Sequence, residues 1–418
     1  MKVLKLMLGL ALMLAVFTQC RKDNLADELA NADFKKANVN TPEGAYTVTV
    51  ENVSTPYDYF EAGAEFGVTG GDGAPPAHPG ETITVHFHAG RSHKLSFASM
   101  YGASNDWFYA PEGDGISLFS GTTPLEGDIT GLIGLWDAGT EVDGSGNPGT
   151  PESNPVVPVL TAEENIQVLL AYDGTSMFTL TINVLPGSAT PLSPVAWVVH
   201  SDGQFPIFKE GMLDYGMGLE DLAEMGNAAP LGEYLSMHSG YVSPVAPFLW
   251  VLHDKKDMPI FTNNSPDYGS GLEVLAETGN PGPLFNSLTA AGYATGFHAT
   301  RDGGLGDGPL FPGQKYVFMI EGHVGQSLSF ASMLGASNDE FFSTGDEGIK
   351  LSNGTAEKDI THFFGIYDAG TEVNEYPGAG LHQGGPEGTD EMGNVRMLDD
   401  EFNWPEASQV IKVTIRKN

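Results

Sequence analysis

Two short strings of the sequence that carry carboxylate side chains occur twice. The first reads LSFASMYGASNDWF from Leu95 and LSFASMLGASNDEF from Leu328. The second reads WDAGTEV from Trp136 and YDAGTEV from Tyr367. We call them the SND string and the DAGTE string. The offset between the copies is nearly the same at both strings, which indicates two copies of one folded unit.

The acids of these strings have the chemistry of a hard-cation site. A strand that ends at Asp368, followed by an Ala-Gly-Thr turn, would return Glu372 to the same sheet end, where Asp339 could join them. Three converging carboxylates repel one another unless a proton or a cation neutralises them. Ca²⁺ takes about six to eight oxygen ligands from carboxylates, carbonyls and water. The sequence therefore predicts one Ca²⁺ per copy, held by Asp106, Asp137 and Glu141, with Asp143 as a spare ligand, and by Asp339, Asp368 and Glu372.

Two other interpretations of the polar residues stay open. Asp and Asn in Gly-rich turns often only bond to the nearby backbone, so the acids are alternatively turn and cap residues. His200 and His253 raise the possibility of zinc, but each ends an apolar run in a different segment, and no paired cysteines or HExxH motif accompany them. We therefore interpret both as hydrogen-bonded core histidines.

The composition favours an all-β protein and excludes one class of partner. The chain has 418 residues with 54 Gly and 27 Pro, and its 19 basic and 54 acidic residues give a net charge of −35. This charge would repel nucleic acid. Short β-branched and aromatic runs bounded by turn residues predict antiparallel β-sandwiches. The runs are YTVTVENV from Tyr46, TITVHFHA from Thr82, NIQVLLAY from Asn165, FTLTINVL from Phe178, YATGFHAT from Tyr293, KYVFMIEG from Lys315, HFFGIY from His362 and QVIKVTIR from Gln409.

A smaller repeat lies between the two large copies. Its members begin at Pro194 and Pro247, and each has an apolar run ending in His, a Phe-bearing turn and a helical GLExLAExG stretch. Gly226 and Gly279 stand where helix C-caps are expected. The first half has no such segment before its SND string. The segment is therefore either a separate inserted unit or an addition to the first sandwich.

The N-terminus has the pattern of a bacterial lipoprotein signal. An apolar run from Val3 to Phe17 precedes the sole cysteine, Cys20, which would be lipidated and become the first mature residue. The alternative is ordinary secretion with an incidental cysteine. The expected division is a signal peptide 1–20, a tether 21–42, sandwich 43–187, an inserted unit 188–242 and sandwich 243–418. The expected location is the outer membrane of a Gram-negative envelope, with a membrane contact through Cys20.

The two strings together resemble the spondin N-terminal domain family, known from F-spondin and mindin. SNDWF with WDAGTE, and SNDEF with YDAGTE, carry the resemblance, and the His/LAE segment is similar to the part that precedes those strings in the family. The resemblance implies two C2-like antiparallel β-sandwiches with short helical insertions, each with one Ca²⁺. It assigns the calcium ligands to the same six acids. Glu141 and Glu372 depart from the family's Asp, and Glu340 stands where the first copy has Trp107.

The function predicted from these features is a calcium-binding, non-enzymatic adhesion or ligand-binding lipoprotein outside the cytoplasm. Its partner would be an extracellular protein or glycan, which the sequence does not identify. A structural subunit of a surface assembly is the second hypothesis. A carboxylate-dependent hydrolase is the third, although no GxSxG motif occurs in the chain.

Overall fold

The computed structural model describes residues 43–146, 148–161, 165–383, 388–399 and 402–418. Cys20, the predicted signal peptide and the tether lie outside this part of the chain. The described residues form antiparallel β-sheets with a few short helices, which confirms the predicted all-β sandwich class. They divide into two compact units.

Each unit contains one copy of the SND and DAGTE strings. The first-copy unit comprises Tyr57–Tyr241 and Ala379–Leu381. The second-copy unit comprises the described residues up to Pro56, Val242–Gly378 and the described residues from His382 onward. The chain therefore starts in the second-copy unit, with strand β1 (Glu43–Asn52), and returns to it after the first-copy unit.

Two large antiparallel sheets, a small two-stranded sheet and two α-helices build the described part of the first-copy unit. Its strands are β2 (Glu61–Glu65), β3 (Val68–Thr69), β4 (Thr82–His88), β5 (His93–Met100), β6 (Trp107–Pro111), β7 (Ile116–Ser117), β8 (Phe119–Ser120), β9 (Thr123–Pro124), β10 (Gly127–Asp128), β11 (Ile133–Asp137), β12 (Val157–Thr161), β13 (Ile166–Tyr172), β14 (Met177–Val184) and β15 (Val195–Ser201). Its helices are α1 (Leu219–Met225) and α2 (Ala229–Met237). One sheet has the order β3-β4-β14-β13-β10, and the other β2-β15-β5-β6-β11-β12 with β7 beside β5. Strands β8 and β9 pair separately.

The core of this unit lies between its sheets. Strand side chains alternate between the two faces of a sheet, so Phe87 and Phe178 from one sheet meet Phe97 and Tyr109 from the other. The Phe87 and Phe178 rings stack with centroids 5.6 Å apart. The opposite face of the second sheet packs against α1 and α2 in a separate apolar cluster.

The second-copy unit repeats this architecture. Beside β1 its strands are β16 (Phe248–His253), β17 (Ala294–His298), β18 (Thr300–Arg301), β19 (Gly306–Asp307), β20 (Lys315–His323), β21 (Ser327–Met333), β22 (Glu340–Ser343), β23 (Ile349–Lys350), β24 (Lys358–Asp359), β25 (Gly365–Asp368), β26 (Arg396–Met397) and β27 (Ile411–Lys417). Its helices are α3 (Leu272–Thr278), α4 (Gly282–Ala290) and α5 (Ala407–Val410). The sheets have the orders β19-β18-β20-β1-β27-β24 and β17-β16-β21-β22-β25-β26, with β23 beside β21.

The two units share a strand order in space but not along the chain. In the first-copy unit β14 lies between β4 and β13, and in the second-copy unit β1 lies between β20 and β27. Likewise β15 lies between β2 and β5, and β16 between β17 and β21. In the first-copy unit β14, β15 and the helix pair come last, whereas their counterparts β1, β16, α3 and α4 come first. The first-copy unit is thus circularly permuted relative to the second and inserted between β1 and β16.

Hydrogen bonds hold the chain ends together on each side of this insertion. Within the second-copy unit, buried Asn52 donates from Nδ2 to the carbonyl of Ser243 at 2.9 Å. Within the first-copy unit, the Tyr59 N–H donates to the carbonyl of His238 at 3.1 Å, and the Gly240 N–H donates to the carbonyl of Tyr59 at 3.1 Å. Adjacent ends let one unit interrupt a loop of another without distorting it.

This division differs from the expected one in two respects. The expected sandwich 43–187 included β1, which instead pairs with β20 and β27 of the other unit. The segment 188–242, expected to stand apart, supplies β15, α1 and α2 to the first-copy unit. The physical reason is that β1 (YTVTV) and β14 (FTLTI) have the same alternation, so pattern alone does not assign either strand to a sheet.

Two predicted strands also begin later than expected. The run from Gln409 starts with α5, whose Glu406 and Gln409 form a reciprocal capping box, so the strand begins at Ile411. The run from His362 starts inside a 3₁₀ turn, Thr361–Phe363, and its strand begins at Gly365.

Candidate functional site

The SND and DAGTE strings meet at the same end of the longer sheet in each unit. The SND aspartate immediately precedes β6 or β22, and the first DAGTE aspartate ends β11 or β25. The Ala138 N–H donates to the carbonyl of Asp106 at 3.1 Å, and the Ala369 N–H donates to that of Asp339 at 3.3 Å. These paired strands therefore bring the first two predicted acids together.

The carboxylate of the SND aspartate is used on one oxygen only. Asp106 Oδ2 accepts from the Thr140 N–H at 2.8 Å and the Glu141 N–H at 3.0 Å. Asp339 Oδ2 accepts from the Thr371 N–H and the Glu372 N–H at the same distances. Both aspartates are fully buried, and their Oδ1 atoms have no hydrogen-bond partner among the residues that the structure describes. Each SND aspartate thus has one buried carboxylate oxygen in need of a partner.

The second predicted acid, the aspartate that begins each DAGTE string, bonds to the backbone of its own turn, as expected for a turn residue. Asp137 Oδ1 accepts from the Gly139 N–H at 2.7 Å, and Asp368 Oδ1 accepts from the Gly370 N–H at 2.5 Å. Asp137 is half-buried and Asp368 is fully buried. The turn uses only one oxygen of each carboxylate. The second oxygen of Asp368 pairs with Arg396 Nη2 at 2.9 Å.

The third predicted acid is held by a loop. Glu141 Oε1 accepts from the Gly149 N–H, and Glu372 Oε1 accepts from the Gly388 N–H, both at 2.6 Å. Accordingly, within the described ranges no three His, Cys, Asp or Glu side chains form a ready-made group for a metal ion. The structure gathers two of the three predicted acids in each unit and directs the third carboxylate toward its loop.

Burial and neighbouring acids raise the pKa values of carboxylates at both sites. Burial raises the pKa of Asp137, and Asp106 adds to the shift. Burial, reinforced by Asp368, raises the pKa of Asp339 to about 7. Desolvation and like-charge neighbours disfavour the ionised carboxylate, so each site is stabilised by gaining a proton or a cation.

A fourth acid, missed in the sequence, comes from the helical LAE stretch. Glu224 on α1 is half-buried, and burial, with Glu141 and Asp106 nearby, raises its pKa. Burial raises the pKa of Glu277 on α3 to about 7, with Glu372 and Asp339 contributing. The signal was present, because both LAE stretches hold Glu at the same place. This shared glutamate points to the sites only once the structure shows that each unit contains one LAE helix.

The two sites differ in the row of residues across their strands. Trp107 faces Asp137, which faces Val157, in the first-copy unit. In the second-copy unit the corresponding row is Glu340, Asp368 and Arg396. The second site therefore has an acid, Glu340, and a cation, Arg396, where the first site has Trp107 and Val157.

The paired histidines are hydrogen-bonded core residues. His200 Nε2 lies 2.8 Å from Ser96 Oγ, and His253 Nε2 lies 2.8 Å from Ser329 Oγ. Each Nδ1 contacts the carbonyl of the following residue, at 2.9 Å and 2.8 Å. Burial lowers the pKa of His200 to about 4, so its imidazole is neutral. This arrangement leaves neither ring free for zinc.

A scan against protein-family models gives no match, and a search of curated proteins gives no significant match. The resemblance to the spondin N-terminal domain therefore stays a prediction from the two strings. Among the helices in the described part of the chain, none has the length and apolar character of a membrane span.

Proposed function

We propose that the protein is a non-enzymatic binding protein of the cell envelope in which Ca²⁺ stabilises the loop end of each sandwich. The observation that carries the proposal is the unpartnered, buried Oδ1 of Asp106, repeated at Asp339. A buried carboxylate oxygen without a donor is costly. The same cost at the same place in two units favours a ligand over an accident of packing.

The chemistry of the available donors suits a hard divalent cation. Asp106 and Asp137 offer carboxylate oxygens at the first site, and the charge of Asp106 acts on both Asp137 and Glu224. Loop carbonyls and water would complete the coordination of Ca²⁺. Since the carboxylates do not form a ready-made group of three, binding would be coupled to small side-chain movements. The bound ion would fix the SND and DAGTE loops.

The remaining parts of the proposal follow from the fold and the N-terminal sequence. Rigid sandwiches commonly present binding loops at their ends, and an extracellular protein or glycan is the proposed partner. Lipidated Cys20 would hold the protein in the outer membrane. The function resides in binding, with the cation in a structural role.

The direct test is thermal unfolding with EDTA and with excess calcium. Calcium at about 100 times its Kd should stabilise the folded protein by about 2.7 kcal/mol per site, seen as a higher Tm. Asp106→Asn and Asp339→Asn should each remove one bound ion in equilibrium dialysis. Asp173→Asn is the matched control, because Asp173 also accepts a backbone N–H in a turn but is exposed. Equal melting temperatures in EDTA and calcium would overturn the metal claim.

A further inference from the structure

Glu340 is a buried acid at the second site. It is fully buried, and neither carboxylate oxygen has a hydrogen-bond partner within the described part of the chain. In the β22–β25 register it stands directly opposite Asp368, and it directly follows Asp339. Like charges placed opposite each other across two strands are destabilising, and burial increases the cost.

The neighbouring cation does not compensate Glu340. Arg396 pairs with Asp368 through Nη2 and with Asp399 through Nη1. The buried oxygens without a partner at this site are therefore those of Glu340 and Oδ1 of Asp339. At the first-copy site the only such carboxylate oxygen among the described SND and DAGTE acids is Oδ1 of Asp106.

The fold does not require an acid at this position. Its first-copy counterpart, Trp107, packs against the sandwich core and donates from Nε1 to Asp143 at 3.0 Å. An aromatic side chain thus fits the same strand position. A fully buried glutamate in its place, beside a second unpartnered carboxylate, points to a bound cation.

We propose that Glu340 is a cation ligand specific to the second-copy site and takes the role that Asp137 has in the first. This inference rests on the proposed function. Asp339 and Glu340 supply the unpartnered oxygens there, while Arg396 keeps Asp368 compensated. The two sites therefore bind the same class of ion, a hard divalent cation, with different donor pairs.

The test isolates the second site in the full chain by means of the Asp106→Asn substitution. In that background Glu340→Gln should weaken calcium binding by at least about tenfold in titration calorimetry. Asp399→Asn is the matched control and should change the affinity by less than about threefold, because Asp399 also pairs with Arg396 but is exposed and lies outside the two strings. Unchanged affinity in Glu340→Gln, or an equal loss in Asp399→Asn, would overturn the inference while leaving calcium binding intact.

A second readout separates ligation from a packing role. In EDTA, Glu340→Gln should leave Tm nearly unchanged, because a buried acid without a counter-ion is neutralised by a proton and the amide is similar to that uncharged form. In calcium the same variant should lose the calcium-dependent rise. A packing role predicts instead the same loss of Tm in both conditions, which would overturn the inference. Absence of calcium binding in the Asp106→Asn protein, with one ion still bound by wild type, would also refute it, whereas no binding by wild type would refute the proposed function as well.

Discussion

At the scale of single residues, the unequal use of two oxygens defines the site. Thr140 and Glu141 donate to Oδ2 of Asp106, and no donor from the described ranges reaches Oδ1. An acid whose only role is to hold a turn would have no reason to bury a second, unpaired oxygen. The turn role and the cation role are therefore compatible, with one oxygen for each.

The calcium-free protein should become less stable as the pH rises through 7. The pKa values of Asp339 and Glu277 are raised to about 7 in the folded state, against about 4 in the unfolded chain. Between these values the folded state binds more protons, so its stability falls as the pH increases. In EDTA, the wild-type Tm minus that of the Asp339→Asn/Glu277→Gln variant should decrease from pH 5 to pH 8.

Subtracting the Tm of the variant removes the contribution of groups that titrate in the same pH range but have the opposite effect on stability. His200, whose pKa is lowered to about 4, destabilises the folded state as the pH falls from about 6.5, but it does so in both proteins. A difference in Tm that does not change with pH would contradict the assigned shifts. Saturating calcium should abolish or reverse the trend in wild type, because the ion competes with the protons.

Repetition made the two SND aspartates identifiable at this scale. Asp106 and Asp339 were identified because the same acids recur in both strings. Glu277 was missed because its helix belongs to the site only through tertiary packing. Arg396 was missed because its effect depends on the β25–β26 register, which has no local signature in the sequence.

At the scale of elements, the helix pair of each unit depends on a glycine. Gly218 precedes α1 with φ +105°, and a Cβ there would lie 2.6 Å from the backbone nitrogen of Leu231. Gly271 has the same φ, and its Cβ would lie 2.6 Å from the nitrogen of Leu284. The two helices of a pair thus approach more closely than a side chain at this position permits.

Gly218→Ala should destabilise the first-copy unit by about 3 kcal/mol or more, since strained backbone and a backbone clash add. Gly216→Ala is the control: its φ is +70° but a Cβ would meet no atom within 4 Å, so only the backbone term of about 1 kcal/mol applies. Chemical denaturation of both variants measures the difference. Equal losses of unfolding free energy in the two variants would show that the close approach of α1 and α2 does not contribute to stability.

Helix elements were easier to predict than strand limits. Leu219, Leu222 and Ala223 are buried as their spacing predicted, and Gly226 is the left-handed C-cap. Strand starts were less certain because a capping box or a 3₁₀ turn can precede a strand within one apolar run. The Gln409 run shows this, as its first residues belong to a helix.

At the scale of the whole molecule, the chain is one sandwich interrupted by a permuted copy of itself. The sequence revealed the two repeats but not how they are connected. Strands β1 and β14 have the same alternation of apolar and polar residues, so the repeats look the same whichever sheet each strand joins. The difference lies in which strand, β1 or β14, completes which sheet. Only the pairing of β1 with β20 and β27 resolves it.

The second-copy unit should therefore require its distant first strand. Residues 243–418 expressed alone should fail to fold, because β1 is an inner strand whose Val48 and Val50 are fully buried. Residues 43–56 joined to 242–418 by a short Gly/Ser linker should fold, since Asn52 already bonds to Ser243. Cooperative thermal unfolding and near-UV circular dichroism measure both outcomes.

The control fusion carries Asp at positions 48 and 50 and should behave like the fragment without β1. Residues 57–241 alone should fold, because that unit contains all strands of its sheets. Cooperative unfolding of 243–418 without β1 would contradict the assignment of this strand.

The position of β1 also sets a sequence of events in time. It is the first described strand to leave the ribosome, yet its partners β20 and β27 follow only after the whole of Tyr57–Tyr241 has been made. The first-copy unit is complete long before then, because its described residues, apart from Ala379–Leu381, end at Tyr241. Contacts between distant parts of a chain form slowly. The interrupted sandwich therefore folds after the first-copy unit, and until then its apolar first strand stays unpaired and dependent on protection from aggregation.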